Sequence, residues 1–185
     1  MPRARLSTAA VVDAALAVVD ERGLAGLTLA AVATRTGVAP PSLYKHVGGL
    51  AEVRDRVAVR VMDEMADRFA AAVLGRSGDE AVATLMHAFR DYVRQHPGRY
   101  AAMPPDPLHD PGLAAAGDRL LQVFLAVLRG YRLTGSAAVH ATRCLRAAGH
   151  GFATLEASGG FGLPEDLDET YRRLIRMFIA SLPGH

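Results

Sequence analysis

Residues 27–47 read LTLAAVATRTGVAPPSLYKHV, and the architecture of the chain follows from them. The Thr28 hydroxyl is placed to cap the free amides of a short helix through Arg35, and Gly37 is placed to end it. A second, very short helix is expected over residues 40–47, before Gly48 and Gly49 break the chain. Two short helices joined by a tight turn make a helix-turn-helix. Leu29, Val32 and Ala33 fall on the face expected to meet a shared core, with Ala33 small where two helices must approach. Gly37 takes positive φ at little cost. Val38 is expected to plug the gap between the helices, and Leu43 to anchor the second from inside. Pro40, Pro41, Ser42, Tyr44, Lys45 and His46 are left on the exposed side. A helix so arranged fits the DNA major groove and offers its first residues to base edges.

Helical periodicity continues on both sides of this segment. Val12, Leu16 and Val19 recur at helical spacing, with Ser7 or Thr8 as cap and Gly23 as terminator. A long helix is expected over residues 50–74, where Val53, Val57 and Val61 form one stripe. Gly75-Arg76-Ser77-Gly78 reads as a turn. Further helices are expected over residues 79–96, 112–131, 136–158 and 166–182. Pro97-Gly98 is read as the stop of the first of these, and residues 103–111, with four prolines, as a loop. No strand pattern or internal repeat competes. The expected fold is all-α: a three-helix N-terminal helix-turn-helix domain over residues 1–50, then a helical bundle over residues 51–185.

The chain has 185 residues, 50% of them hydrophobic and 22% charged, an ordinary globular balance. Its 21 basic and 19 acidic residues exclude a wholly basic nucleic-acid coat protein, not a local basic patch. The first sixty residues carry eight basic and five acidic groups; the remainder is close to neutral. Lys45 is the sole lysine, and it falls on the expected reading face. A single cysteine, Cys144, forms no intramolecular disulfide and fits a reducing cytoplasm; a small core residue is its default reading. No secretory leader and no membrane-spanning run are expected.

The stretch from Thr28 to Val47, placed behind one capped helix, resembles the TetR family of transcriptional regulators. The match extends to residues 143–163, RCLRAAGHGFATLEASGGFGL, and looks most like actinobacterial-type members with a C-terminal His-Gly pair. The resemblance implies a homodimer that binds a double-stranded DNA operator through two helix-turn-helix units. It implies a larger C-terminal domain that takes a small-molecule effector and dimerises through its last two helices. Pro40, Pro41, Ser42, Tyr44, Lys45 and His46 then occupy the recognition-helix positions. Thr28 is placed to touch phosphate, and Tyr44 and His46 lie where the family often contacts the DNA backbone. Two departures stand out. Ala39 replaces the usual Ser or Thr cap, worth roughly 1 kcal/mol, and Leu50 replaces a lysine at the start of the fourth helix. The amides of residues 49–51 and Arg3 and Arg5, reaching a minor groove, are alternative phosphate and DNA contacts.

The implied function is a ligand-responsive, cytoplasmic DNA-binding regulator, a repressor released from a palindromic operator by a small molecule. An activator of the same fold, or a helical interaction module without DNA binding, is the alternative. No catalytic constellation, cofactor motif or metal-ligand spacing supports an enzyme. Phe89, Tyr92, His96, Met103, Leu120 and Phe124 are candidates to line an apolar effector pocket, each also readable as core. His150, between Gly149 and Gly151, is open to a packing, interface or ligand role. With Phe152, Tyr171, Leu174 and Phe178 it makes a candidate dimer interface.

Overall fold

The computed structural model describes residues 6–183. Among these the chain is helical, with short 3-10 turns and no strand. Its internal contacts divide it into two compact units. One takes the chain up to Met62 together with His96–Gly117; the other takes Asp63–Gln95 and the chain from Asp118 onward.

In the first unit, α1 (Thr8–Arg22) starts at Ser7, whose hydroxyl accepts from the Ala10 amide, and stops at Gly23. It buries Val11, Ala15, Leu16, Val18 and Val19. α2 (Leu29–Thr36) is capped by Thr28, whose Oγ1 accepts from the Ala31 amide at 3.1 Å. Gly37 closes it in the left-handed conformation, φ 68° and ψ 28°. α3 is a single turn, Pro40–Leu43, shorter than the helix expected over residues 40–47. Ala39 provides no side-chain cap, and after Leu43 the chain tightens into a turn in which the His46 and Val47 amides both donate to the Leu43 carbonyl. Leu43 and Val47 are buried all the same.

α4 (Leu50–Val73) contributes its first half, with Val53, Val57 and Val61 buried, to this unit and its second half to the other. The first unit also holds a helix that the sequence pattern does not predict, α6 (Pro97–Ala101). Pro97 sits at its start, where a missing N–H loses nothing. Gly98 lets α6 lie directly on α1: a Cβ there would come 2.6 Å from the Val19 carbonyl oxygen. Arg99 fixes the contact with two bonds to the Asp20 carboxylate, 2.8 and 2.7 Å.

The second unit comprises the rest of α4 with α5 (Gly78–Gln95), α7 (Ala114–Leu128, from Asp118 onward), α8 (Gly135–Ala157) and α9 (Leu167–Ala180). α8 and α9 pack on α5. Gly149 is buried where α8 meets α5, and a Cβ on it would touch the Phe89 ring at 3.4 Å. The close helix approach is thus made within the chain at Gly149, whereas Gly151 has open space around it. One buried cation ties the three helices. Arg90 of α5 donates to Glu156 of α8 at 2.6 and 2.7 Å and pairs with Asp168 of α9 at 2.8 Å. Its guanidinium lies 5.3 Å from the Phe152 ring centre and 5.0 Å from that of Tyr171. Cys144, read from sequence as a small core residue, is exposed on α8 instead, because the buried stripe of that helix runs through Ala138, Thr142, Leu145, Gly149, Phe152 and Ala153.

Candidate nucleic-acid interface

The helix-turn-helix presents its surface through what it buries. Leu43 and Val47 are held inside, so the intervening side chains are directed outward. Tyr44 is 59% exposed. Pro40, Pro41 and Lys45 are exposed, and Ser42 and His46 are half-buried. Thr28 is exposed at the start of α2. Lys45 has no ion-pair partner among the described residues. Other cations of this unit are engaged: Arg35 pairs with Glu21 at 2.5 Å, Arg56 with Glu52 at 2.6 Å and Arg60 with Asp13 at 3.3 Å. A cation with no internal partner on an exposed face is available to a phosphate.

Two contacts that the sequence pattern did not single out hold the recognition turn. Thr8 Oγ1, at the start of α1, donates to the His46 carbonyl at 3.1 Å. Glu52, in the first turn of α4, accepts from the Gly48 amide at 2.6 Å and from Arg56 Nε at 2.7 Å. These bonds, the Gly48 one foremost, hold the Glu52 carboxyl below the usual carboxylate range. The signal for Glu52 was a carboxylate in the first turn of α4, where an acidic side chain can reach back to free amides. Thr8 gave no such signal, since its partner lies 38 residues away. Glu52 thus places negative charge at the Gly48 amide, one residue before the amides of residues 49–51. Arg3 and Arg5 lie outside the described residues.

The candidate effector residues fall into separate places. Phe89, Tyr92 and Phe124 come together in the second unit, around Phe69. Their ring centres lie 5.9, 6.5 and 6.1 Å from that of Phe69, and all three are buried. They fill this core against one another. Leu120 is half-buried in the same unit, while His96 and Met103 are half-buried in the first. A groove of about 440 Å³ does open in the second unit, between the end of α4, the turn after it and α7. None of the six residues lines it.

Of the candidate interface residues, Phe152 and Tyr171 are buried beside Arg90, and the Tyr171 hydroxyl donates to the Met86 carbonyl at 2.7 Å. Burial pushes the Tyr171 phenol up. Phe178 is buried, Leu174 half-buried and His150 exposed. The large apolar side chains that α8 and α9 expose are Val139, Leu155 and Met177. Among the described residues, no group of three or more metal-ligating side chains converges, and no helix is long and apolar enough to cross a membrane.

Comparison with known proteins agrees with this geometry. Residues 11–49 match the family model "Bacterial regulatory proteins, tetR family", and residues 82–178 match "Tetracyclin repressor-like, C-terminal domain". The chain is 37% identical over 183 residues to the uncharacterized HTH-type transcriptional regulator YobS of Bacillus subtilis, covering 98% of this chain and 95% of that one. Among solved structures, a protein of unknown function from Rhodococcus sp. RHA1 superposes with a TM-score of 0.84 at 20% identity, covering 100% of both chains. A TetR variant from Acinetobacter baumannii AYE, in complex with minocycline, superposes with a TM-score of 0.71 at 20% identity, covering 95% of this chain and 96% of that one. With the helix-turn-helix and the C-terminal helical domain both matched, the chain belongs to the TetR family and is a DNA-binding transcriptional regulator.

Proposed function

We propose that a homodimer of this chain represses transcription from a palindromic operator and leaves it when a small molecule binds. The observation that carries the reading is the one-turn helix α3, which buries Leu43 and turns Pro40, Pro41, Tyr44 and Lys45 outward. Pro40, Pro41 and Ser42, at its start, are assigned to base edges. Lys45, Tyr44, His46 and Thr28 are assigned to the phosphate backbone, which supplies affinity and register. In this reading residues 1–50 bind DNA, and residues 51–185 dimerise and take the effector.

The exposed Val139 on α8 and Met177 on α9 support dimerisation there; His150 falls on the Val139 face of α8, and Leu174 one turn before Met177 on α9. Two recognition helices of a dimer enter successive major grooves roughly 34–36 Å apart. α4 shares its residues between both units. An effector that prefers one arrangement of the units acts through α4 on that spacing, and only through its unequal affinity for the two arrangements. A coupling of roughly 1–3 kcal/mol is ordinary for such systems. The protein is a binding protein of the cytoplasm, not an enzyme. The minocycline complex of the A. baumannii relative is a precedent for a ligand on this fold.

The test is selection of bound duplexes from a random pool, followed by transcription from the selected sequence with and without the gene. A two-fold-symmetric sequence whose promoter is silenced supports the reading. An asymmetric or unenriched pool overturns it, and stimulated transcription replaces repressor by activator.

A further inference from the structure

We propose that the groove between the end of α4 and α7 binds a small molecule with an apolar chain and a carboxylate head, and that this molecule is the effector. The second half of that statement rests on the ligand-responsive reading above. The groove holds about 440 Å³, within the ~300–1,000 Å³ of small-molecule sites. Ala70, Val73 and Leu74 of α4 make one wall, and Val123, Ala126 and Val127 of α7 the other. The space exists because alanines stand at 70, 81 and 126, where larger side chains would close it.

The far end is fixed by contacts that need no guest. Gly130 lies so near the start of α5 that a Cβ on it would be 3.4 Å from the Gly78 nitrogen. The Tyr131 hydroxyl donates to Asp79 at 2.6 Å.

The chemistry of the guest follows from the lining. Leu74 is 80% exposed, and an apolar chain laid in the groove would cover it. Arg76 is the only charged side chain among the described lining residues. Its Nη1 donates to the Ala72 carbonyl at 2.8 Å, which holds the guanidinium at the rim. Its carboxylate partner among the described residues, Glu80 at 3.1 Å, is itself 71% exposed. Such an exposed pair contributes little and exchanges readily. A carboxylate delivered by a bound apolar chain replaces Glu80 with a charge-assisted bond in a drier setting. A cationic head would meet Arg76 and have to compete with it for Glu80. A helix, ~10–12 Å across with its side chains, asks for far more room than this volume gives.

The experiment titrates the full-length chain with sodium decanoate below its micelle concentration, by calorimetry and thermal shift, with decan-1-ol and decyltrimethylammonium as comparisons. Decanoate is expected to bind about tenfold more tightly than the alcohol, the ordinary increment of a charged hydrogen bond, and the cation least. R76Q lowers decanoate affinity about tenfold without affecting the alcohol. E80Q, which removes the competing carboxylate, tightens decanoate. A126F fills the groove from an exposed position and removes both ligands; should it fail to fold, R76Q and E80Q still test the head. Absence of decanoate binding, or binding indifferent to Arg76 and Glu80, overturns the proposal. Decanoate that binds with this Arg76 dependence, yet leaves affinity for the selected duplex unchanged, keeps the groove and overturns its role as the effector site.

Discussion

Replacing Arg90 by methionine should remove a large share of the stability of the second unit. Arg90 is 4% exposed, and methionine keeps an unbranched apolar stem of similar length while deleting the charge. The two carboxylates left behind differ sharply. The Asp168 side chain is 65% exposed and rehydrates at little expense, but that of Glu156 is 13% exposed. Breaking a buried pair by removing one member costs about 3–5 kcal/mol. Arg94, 3.7 Å from Glu156 and half exposed, offsets part of this, so we expect about 3 kcal/mol, the lower end of that range. For a chain of this size each kcal/mol moves Tm by roughly 2–4 °C, giving a fall of about 6–12 °C.

The assay is urea unfolding followed by far-ultraviolet circular dichroism at one fixed protein concentration, because association contributes to apparent stability. The double variant R90M/E156L removes the stranded charge and should recover most of the deficit. A deficit below about 1 kcal/mol for R90M, less than an ordinary buried hydrogen bond to a charge, would mean that no buried charge is stranded at Glu156. So would a double variant no more stable than the single one.

Four further expectations are open to measurement. Gly98→Ala forces a methyl against the Val19 carbonyl and should destabilise by about 1–3 kcal/mol in the same unfolding assay; an unchanged midpoint would contradict the close packing of α6 on α1. The carboxyls of Asp20 and Asp168 lie below their usual range because of hydrogen bonds from Arg99 and Arg90. A lowered folded pKa stabilises above the unfolded value and loses that contribution as pH falls through the folded one, so the deficit of Asp20→Asn should be full at neutral pH and vanish in strong acid. A deficit that instead grows on acidification has the wrong sign. Tyr44→Phe should weaken duplex binding with no change in unfolding midpoint, since the ring is exposed; unaltered affinity would mean that its hydroxyl bonds no phosphate. Thr8→Val should lower affinity for the selected duplex by releasing the His46 carbonyl, and equal affinity would show that this bond does not hold the recognition turn.

How far the sequence disclosed this molecule depended on whether the deciding interaction was local. Ser7, Gly23, Thr28 and Gly37 act within four residues of themselves, and the helix ends they imply are where the structure has them. α3 is shorter than its pattern because Leu43 and Val47 satisfy the core equally well from a turn. α6 escapes the pattern because Pro97 looks like a terminator, although proline also suits the first position of a helix. Arg90 offered one clue: it lies on the same face of α5 as Met86 and Val93. Its partners are distant in the chain, and nothing local announces them. Phe89, Tyr92 and Phe124 group as apolar from sequence, but periodicity does not distinguish a ring that lines a space from one that fills it. The groove near Arg76 is silent in the sequence for the converse reason, being left open by alanines that carry no signature.

The turn carrying Lys45 is proposed to read operator DNA from a two-fold dimer. The most direct test is titration of a selected duplex across salt concentrations, with the parent chain and Lys45→Ala. Two protomers are expected on a two-fold-symmetric sequence. The slope of log affinity against log salt should be shallower by about 1.8 in the variant, because each of the two protomers then neutralises one phosphate fewer, at ~0.9 apiece. A slope that does not change, or one protomer on an asymmetric site, would show that Lys45 does not hold phosphate in such a dimer.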